Sequence, residues 1–406
     1  MKTYLFIAIA FFLCGLCTVL NTILAPYLQQ VLELSYTSVT SIYVSFYLAY
    51  LVCAPIAGYL FRQGNYRLGI RIALLLCTFG SYGVFLGGTF NSFPLVLTGL
   101  FVTACGICIL QVNANPFVLH FGPKETASSR LSFLQGFFAF GTVIAPFLGS
   151  WLILSALYHP IDGSLLKEFL NILPIQKPYY AISMTWGIVF FISELFPLPH
   201  VEGLTENTHS KKPLSLKFVS MSMIVVAVAV GVEVTLGNYV IPLVADKSIL
   251  NLNFDAAGHL AMIYWIGFMM GRFLSSLLLK DVDPRVILYF HAGAGILLSL
   301  VASFSTGLFA AAAVLATGLC VSILFPVLFS LILEESPASQ MRMSGYLMMA
   351  NVGGGLIPVL QGFSADLMGI HLSFIIPALC FFVILAFSLR RPKLTLQPIR
   401  VRSSEK

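Results

Sequence analysis

Glu233 is the residue whose type and position could most directly do chemistry in this 406-residue chain. It lies within MIVVAVAVGVEVTLGNYVIP, an apolar run long enough to cross a bilayer, and no lysine or arginine shares that run. An ionisable side chain at that depth is a functional hypothesis by default. Glu233 could hold and release a proton, or accept hydrogen bonds from the hydroxyl groups of a ligand. The alternative is a structural carboxyl that hydrogen-bonds a neighbouring helix.

Amide side chains within other apolar runs form a second group of candidates. Gln111 and Asn115 are four residues apart, so on a helix they share one face. Pro116 removes a backbone donor beside them, which frees a carbonyl group and allows the helix to bend towards a cavity. Because amides also hold helices together, each could equally be a packing residue. The remaining pocket candidates are Asn21, Gln135, Asn238 and Asn351, with Trp265 as the aromatic ring for stacking.

The composition requires that these residues sit in a membrane. Hydrophobic residues make up 58% of the chain and charged residues only 9%, and the mean hydropathy is +0.94. An ordinary soluble protein is about 25% charged, so soluble enzymes, nucleic-acid binders and disordered scaffolds are excluded. The net charge of +6 is spread over short loops and does not form a basic patch for nucleic acid.

Twelve apolar runs are long enough to be transmembrane helices, since backbone amides cannot stay unpaired in hydrocarbon. Lysine and arginine fall almost entirely in one set of loops, and the three exceptions among 22 are Lys167, Lys177 and Lys247. This bias predicts that both termini are cytoplasmic. The predicted spans are roughly 4–30, 37–61, 68–90, 94–119, 129–157, 179–198, 216–244, 256–280, 285–304, 307–333, 339–366 and 371–389.

The spans are predicted to form two bundles of six helices, an all-α membrane fold. Pro116 and Pro326, and likewise Pro146 and Pro358, occupy equivalent spans of the two halves at nearly the same offset, which favours an internal duplication over chance. The predicted boundaries are residues 1–198 for the first bundle, 199–215 for a cytoplasmic linker, 216–390 for the second bundle and 391–406 for a basic tail.

Arginines beside glycines mark the predicted cytoplasmic turns after the second and eighth spans. Glycine allows helices to approach closely, and arginine can cap a helix or pair with a carboxylate, so these turns could lock the bundles together in one state. Anchoring by the positive-inside rule explains the same arginines equally well. The gating candidates are Arg62, Arg67, Arg130 and Arg272.

Long segments of the chain resemble the fucose permease-like family of sugar transporters in the major facilitator superfamily. The matching segments are FFLCGLCTVLNTILAPYLQ, LQVNANPFVLHFGPKETASSRLSFLQGFFAFGTVIAP, GVEVTLGNYV, YWIGFMMGRF, ILFPVLFSL and LMMANVGGGLIPVLQGFSAD. The resemblance implies a twelve-helix carrier that works by alternating access, typically a proton-coupled importer of hexoses.

The chain departs from this family at titratable positions. Family members usually carry Leu-Asn-Asp on the first helix, where this chain has Leu20, Asn21 and Thr22. The fucose-transporting branch has a glutamate at the position of Gln111. Neither position can exchange a proton here, so any coupling is expected to centre on Glu233.

The function predicted from these observations is secondary transport of a small polyhydroxylated solute, a hexose-type sugar, across a bacterial inner membrane. Protons or sodium are the candidate coupling ions, the bilayer is the solvent, and the expected state is a monomer. A non-sugar metabolite, a siderophore or a drug is the alternative cargo, and an uncoupled facilitator is the alternative mechanism.

No Walker loop, GxSxG or HExxH motif is present, so neither an enzyme nor a cofactor or metal site is expected. All eight cysteines fall inside spans, which favours packing roles.

Overall fold

The computed structural model describes residues 2–31, 36–61, 65–149, 176–195, 198–199, 215–252, 254–337 and 339–389, and this part of the chain is α-helical. The first half contains α1 (Lys2–Val31), α2 (Tyr36–Leu60), α3 (Tyr66–Thr89), α4 (Phe93–His120), α5 (Ala127–Gly149) and α6 (Gln176–Leu195). The second half contains α7 (Leu216–Ala245), α8 (Phe254–Leu278), α9 (Pro284–Phe304), α10 (Gly307–Val321), α11 (Leu324–Glu334), α12 (Gln340–Met349), α13 (Gly353–Met368) and α14 (Ile375–Ser388).

These helices follow the predicted apolar runs because a helix satisfies all of its interior backbone groups without water. Within the described residues, eight stretches are long and apolar enough to cross a membrane, and two shorter apolar helices accompany them. The all-α membrane architecture predicted from composition is confirmed.

The predicted tenth and eleventh spans are present as the apolar stretches Gly307–Glu334 and Gln340–Met368, but neither is one uninterrupted α-helix. The tenth breaks between α10 and α11, and the eleventh is interrupted by a 3-10 turn at Ala350–Val352. Pro326 explains the first break, because it lacks the N–H that would bond the carbonyl of Ser322 four residues earlier. The consecutive glycines from Gly353 to Gly355 follow the second break, and glycine weakens a helix interior.

The two halves meet at one end of the molecule, which we call the closed end: the start of α5 and α12 and the last turns of α2, α8 and α11. The Ser128 and Ser330 hydroxyl oxygens are 2.7 Å apart, and the Ser129 hydroxyl donates to the Ser276 carbonyl across 2.5 Å. A methyl group added to Gly58 of α2 would lie 2.9 Å from the Gly345 Cα of α12. Small residues and hydroxyl groups therefore let the two halves touch along their backbones.

Several sequence predictions fall outside the described residues. These are Arg62, nearly all of the linker, the tail from 391 onwards and the side chain of Asn21, although the backbone of Asn21 lies within α1. The domain boundaries therefore stay predictions.

Candidate functional site

Glu233 and Arg272 form an ion pair inside the helical bundle. Arg272 Nη2 lies 3.5 Å from Glu233 Oε2, and the exposed fractions of the two side chains are 2% and 14%. Arg272 was predicted to lie at a cytoplasmic turn, and this placement is wrong. It lies within α8, six residues before the helix ends, or about 9 Å along the axis. The carboxyl group singled out by sequence therefore has a cation from the next helix as its partner.

Arg272 also donates hydrogen bonds to two backbone carbonyl groups from different helices. Its Nη1 donates to the Gln135 carbonyl across 3.0 Å, and its Nε donates to the Ser322 carbonyl across 3.0 Å. Pro326 leaves the Ser322 carbonyl without its helical donor, so the break in the tenth span supplies this acceptor. The Phe268 ring centroid lies 4.2 Å from the guanidinium carbon, which adds a cation–π contact. These contacts offset part of the cost of burying the charge.

Amide side chains extend this network into the first half. Gln135 Nε2 donates to Asn115 Oδ1 across 3.2 Å, and Gln135 Oε1 lies 3.4 Å from Arg272 Nη1. The Asn115 amide nitrogen is 3.7 Å from the sulfur of Met348 in the second half. We call Asn115, Gln135, Arg272 and Glu233 the central network. Of its four side chains, only Glu233 is more than marginally exposed.

Pro116 has the same effect in α4 that Pro326 has in the tenth span. It leaves the Val112 carbonyl without its helical donor, and the Ser344 hydroxyl of α12 donates to that oxygen across 2.8 Å. Both prolines thus free a carbonyl for a side chain from another helix. Pro116 was predicted to free a backbone carbonyl group, and it does so. The freed Val112 carbonyl accepts its hydrogen bond from Ser344 in the opposite half.

The other pocket candidates take different positions. Gln111 is buried, and its Oε1 lies 3.4 Å from the Tyr50 hydroxyl. The Asn351 amide donates to the Met348 carbonyl of its own segment across 2.8 Å. Trp265 packs edge-on against Tyr264 and Phe268, with its indole ring against Gly237, and Asn238 is exposed on α7. These four residues lie outside the central network, and their roles in binding stay predictions.

The predicted gating arginines also differ in their surroundings. Arg130 donates from Nε to the Val118 carbonyl across 3.2 Å and from Nη2 to the Leu119 carbonyl across 2.7 Å. It therefore caps the C-terminal end of α4 within its own half. Arg67 lies partly buried in the first turn of α3. Arg272 is the one of these described arginines whose bonds join the two halves.

Sequence reasoning missed the ion pair between Glu233 and Arg272. Arg272 was grouped with loop cations, although it precedes the next charged residue, Lys280, by more than two helical turns. That spacing was the available signal. The nearby amide of Asn113 stays within its own helix: its nitrogen donates to the Ile109 carbonyl of α4 across 2.8 Å, and its side chain packs against Gly69.

The central network combines a carboxyl group, a guanidinium group and two amide groups, which are group types that can carry a proton or hydrogen-bond hydroxyl groups. The Glu233 carboxylate is 14% exposed, and the amide and guanidinium groups next to it are donors and acceptors of the kind that bind hydroxyl groups. Among the described residues, no group of three or more His, Cys, Asp or Glu side chains could hold a metal ion.

A helical bundle of this kind, closed at one end beside a buried ion pair, has the architecture of a membrane transporter. The profile described as Major Facilitator Superfamily matches residues 6–341 and 219–404. The chain belongs to the Major Facilitator Superfamily.

Named relatives cover nearly the whole chain. A glucose/galactose transporter of Brucella abortus is 34% identical over 386 residues, which span 94% of this chain and 92% of the relative. The L-fucose-proton symporter of Escherichia coli K12 is 29% identical and covers 93% of this chain and 90% of its own length.

Two solved transporter structures superpose on this chain over nearly its whole length. The crystal structure of FucP in the outward conformation superposes with a TM-score of 0.84 at 26% identity, covering 96% of this chain and 98% of FucP. The proton:xylose symporter XylE shares the fold, with a TM-score of 0.73 at 13% identity over 95% of this chain and 94% of XylE.

Proposed function

We propose that this protein is a secondary transporter that carries a hexose-type sugar across the bacterial inner membrane by alternating access. The observation that carries the proposal is the central network, which places amide, guanidinium and carboxylate groups at the meeting of the two halves. Sugar hydroxyl groups need such polar partners at fixed geometry within an otherwise apolar site. The similarity to a glucose/galactose transporter and to an L-fucose-proton symporter supports the same substrate class.

Coupling to protons is proposed to occur at Glu233. When Glu233 is ionised, its charge attracts Arg272 across 3.5 Å and links α7 to α8. When Glu233 takes up a proton, that attraction is lost and Arg272 is held by the Gln135 and Ser322 carbonyl groups. Because Arg272 also donates to the Gln135 carbonyl of the opposite half, proton occupancy at Glu233 acts on a residue that joins the two halves. This provides a physical route from protonation to the change of access.

The contacts at the closed end support an outward-facing arrangement. If the arginine-rich loops are cytoplasmic, the bonds from Ser128 to Ser330 and from Ser129 to Ser276 close the cytoplasmic side. Sugar would then enter from outside and reach Glu233 from its partly exposed side. Both termini are proposed to be cytoplasmic, and the working unit is proposed to be a monomer.

Uptake by reconstituted protein tests this function. Proteoliposomes preloaded with unlabelled glucose, galactose or fucose should exchange it for the same radiolabelled sugar outside, while empty liposomes should not. A sodium gradient and a proton gradient are applied separately, and accumulation is expected with the proton gradient. Accumulation with sodium alone would refute the proton assignment. Absence of exchange with every hexose, together with exchange of another metabolite or a drug, would refute the sugar assignment.

A further inference from the structure

Two thiols outside the central network lie unusually close together. The Sγ atoms of Cys53 on α2 and Cys105 on α4 are 3.1 Å apart. That separation is shorter than the about 3.5–4.0 Å at which even carbon atoms pack. Both cysteines are free thiols, and they are separated by 51 intervening residues on two different helices. The contact is a hydrogen bond from the Cys53 thiol to the Cys105 sulfur, which holds the two sulfur atoms next to each other.

The surroundings of this cysteine pair bring the two helices together. Ala49 and Ala104 are completely buried beside Cys105 in a small apolar cluster that is separate from the main core. Cys53 lies one turn after Ala49, and these small side chains leave the helix backbones close to each other. A disulfide needs an S–S distance of about 2.05 Å, so the sulfur atoms would have to approach by roughly 1 Å. Rotation of the two side chains can supply a movement of that size.

The two sulfur atoms also differ in their accessibility. Cys53 is partly exposed, whereas Cys105 is 7% exposed. The residues beside Cys53 on α2 are apolar and open, with Val52 43% and Ile56 52% exposed, as expected for a surface that faces lipid. An oxidant dissolved in the bilayer would therefore reach Cys53 first and find Cys105 directly behind it.

We propose that Cys53 and Cys105 form an oxidation-sensitive site whose co-reactant is a lipid hydroperoxide. The Cys53 sulfur attacks the terminal peroxide oxygen, the O–O bond breaks, and the thiol proton passes to the departing alkoxide, which leaves as an alcohol. The Cys105 sulfur then attacks the resulting sulfenic acid. The S–S bond forms as the S–O bond breaks, and the hydroxyl leaves with the Cys105 proton as water. Two thiols and one hydroperoxide thus give one disulfide, one alcohol and one water.

The disulfide would act on a part of α2 that contacts the opposite half. Ala54 follows Cys53, and a methyl group added to Gly345 of α12 would lie 2.6 Å from the Ala54 carbonyl oxygen. A covalent link from Cys53 to α4 therefore restrains the turn of α2 that meets α12. Oxidation is expected to slow the rearrangement of the two halves, and this consequence rests on the proposed transport function.

Thiol counting in lipid nanodiscs tests the site without reference to transport. Cumene hydroperoxide should remove two of the eight thiols and produce a peptide pair joined through Cys53 and Cys105, and dithiothreitol should restore both thiols. Cys53→Ser and Cys105→Ser should each abolish the joined pair, whereas the control Cys108→Ser should retain it. Hydrogen peroxide, which stays in water, should react at least several-fold more slowly. Peptides joined through other cysteines, or peroxide treatment that leaves this pair reduced, would overturn the proposal.

Sugar exchange then tests the consequence separately. Oxidised wild-type protein should exchange sugar at least twofold more slowly, with recovery after dithiothreitol, and Cys53→Ser should be insensitive. Unchanged exchange in protein whose disulfide has been verified would overturn the regulatory part. If no sugar is exchanged in any state, the proposed function fails, while the thiol count still decides the chemistry.

Discussion

At the scale of single residues, the main feature is a charge pair that an apolar bundle would ordinarily exclude. Burying an ion is costly, and the attraction to its partner offsets that cost only when further hydrogen bonds are made. Arg272 makes them, to the Gln135 and Ser322 carbonyl groups. Glu233 remains the more exposed partner, so the pair combines a fully bonded, buried cation with a carboxyl group that is 14% exposed.

Removal of both charges should destabilise the protein by less than the sum of the two single removals. Glu233→Gln leaves Arg272 buried without its counter-ion, which is expected to cost about 3 kcal/mol and to lower Tm by several degrees. Glu233→Gln combined with Arg272→Gln should be less destabilising than the two single changes added together. Thermal unfolding of the purified variants in detergent measures this.

Glu194→Gln is the matched control for this cycle. Glu194 pairs with Arg71 across 2.7 Å, but the two side chains are 37% and 42% exposed. A surface pair of this kind contributes about 1 kcal/mol or less, so Tm should change little. Single changes at Glu233 and Arg272 that simply add would contradict a direct energetic link between them.

At the scale of helices, prolines and glycines decide which helices bond each other, and the bond from Ser344 to Val112 and the glycine contacts join the two halves. Pro116 and Pro326 each free one carbonyl oxygen, and Ser344 and Arg272 donate to those oxygens. Glycines at the closed end allow backbone contact between α2 and α12, where Gly58 lies against Met341 and Gly345. The carbonyl group freed by Pro116 and the glycine contact at Gly58 are therefore part of the interface between the halves.

Gly58→Ala should open the closed end. The added methyl group would lie 2.7 Å from the Met341 carbonyl oxygen and 2.9 Å from the Gly345 Cα, and backbone atoms cannot move aside easily. We expect the population with a separated closed end to rise several-fold. Distances between spin labels on the loops flanking α2 and α12 would measure the shift.

Gly293→Ala provides the control, because it makes the same change in the interior of α9 with no atom within 4 Å of the new methyl group. It should leave the distance distribution unchanged. An unchanged distribution for Gly58→Ala would show that this contact does not hold the two halves together.

A hydrogen-bonded turn after α7 predicts a modest pH dependence of stability. Asp246 accepts hydrogen bonds from the Ser248 hydroxyl and from the Ser248 N–H across 2.9 Å, and these bonds hold the pKa of Asp246 below its usual value, with a smaller contribution from His371. Because the folded-state pKa is depressed, the stabilisation is present at neutral pH and is lost as pH falls through that pKa, below about 4.

Asp246→Asn should therefore lower Tm slightly at pH 7 and flatten its dependence on pH below about 4. The expected effect is below about 1 kcal/mol, since Asp246 is partly exposed. Asp281→Asn, at another exposed loop aspartate, is the control for general charge effects. If Tm of Asp246→Asn depends on pH between 3 and 7 in the same way as Tm of the wild type, this assignment is refuted.

The sequence predicts the helices well for two reasons. Membrane spans need long apolar runs, and backbone groups in hydrocarbon must form their hydrogen bonds within a helix. Glu233 could also be singled out, since a lone carboxyl within such a run is conspicuous. The partner of Glu233 and the bond from Ser344 to Val112 could not be derived, because they depend on which helices lie side by side. The interruptions of the tenth and eleventh spans could not be predicted from hydropathy either. Apolar residues continue across Ser322 and Ala350, whereas the α-helical hydrogen bonding is interrupted there.

At the scale of the whole molecule, bonds between the halves connect the closed end to the central network. Ser132 donates to the Arg272 carbonyl across 3.0 Å, and its hydroxyl lies 2.9 Å from that of Ser275, one helical turn closer to the closed end. A change in the charge of Glu233 therefore acts on a helix that also forms the interface. This continuity is the route by which the proposed protonation of Glu233 would act on alternating access.

Sugar-induced current in proteoliposomes on a solid-supported membrane tests this central claim most directly. Addition of the transported hexose to wild-type protein should produce a transient inward movement of positive charge that grows as a proton gradient is applied. Glu233→Gln should give no such current while it still exchanges labelled sugar for unlabelled sugar, because binding and rearrangement need no proton there. A sugar-induced proton current that persists in Glu233→Gln would contradict the account.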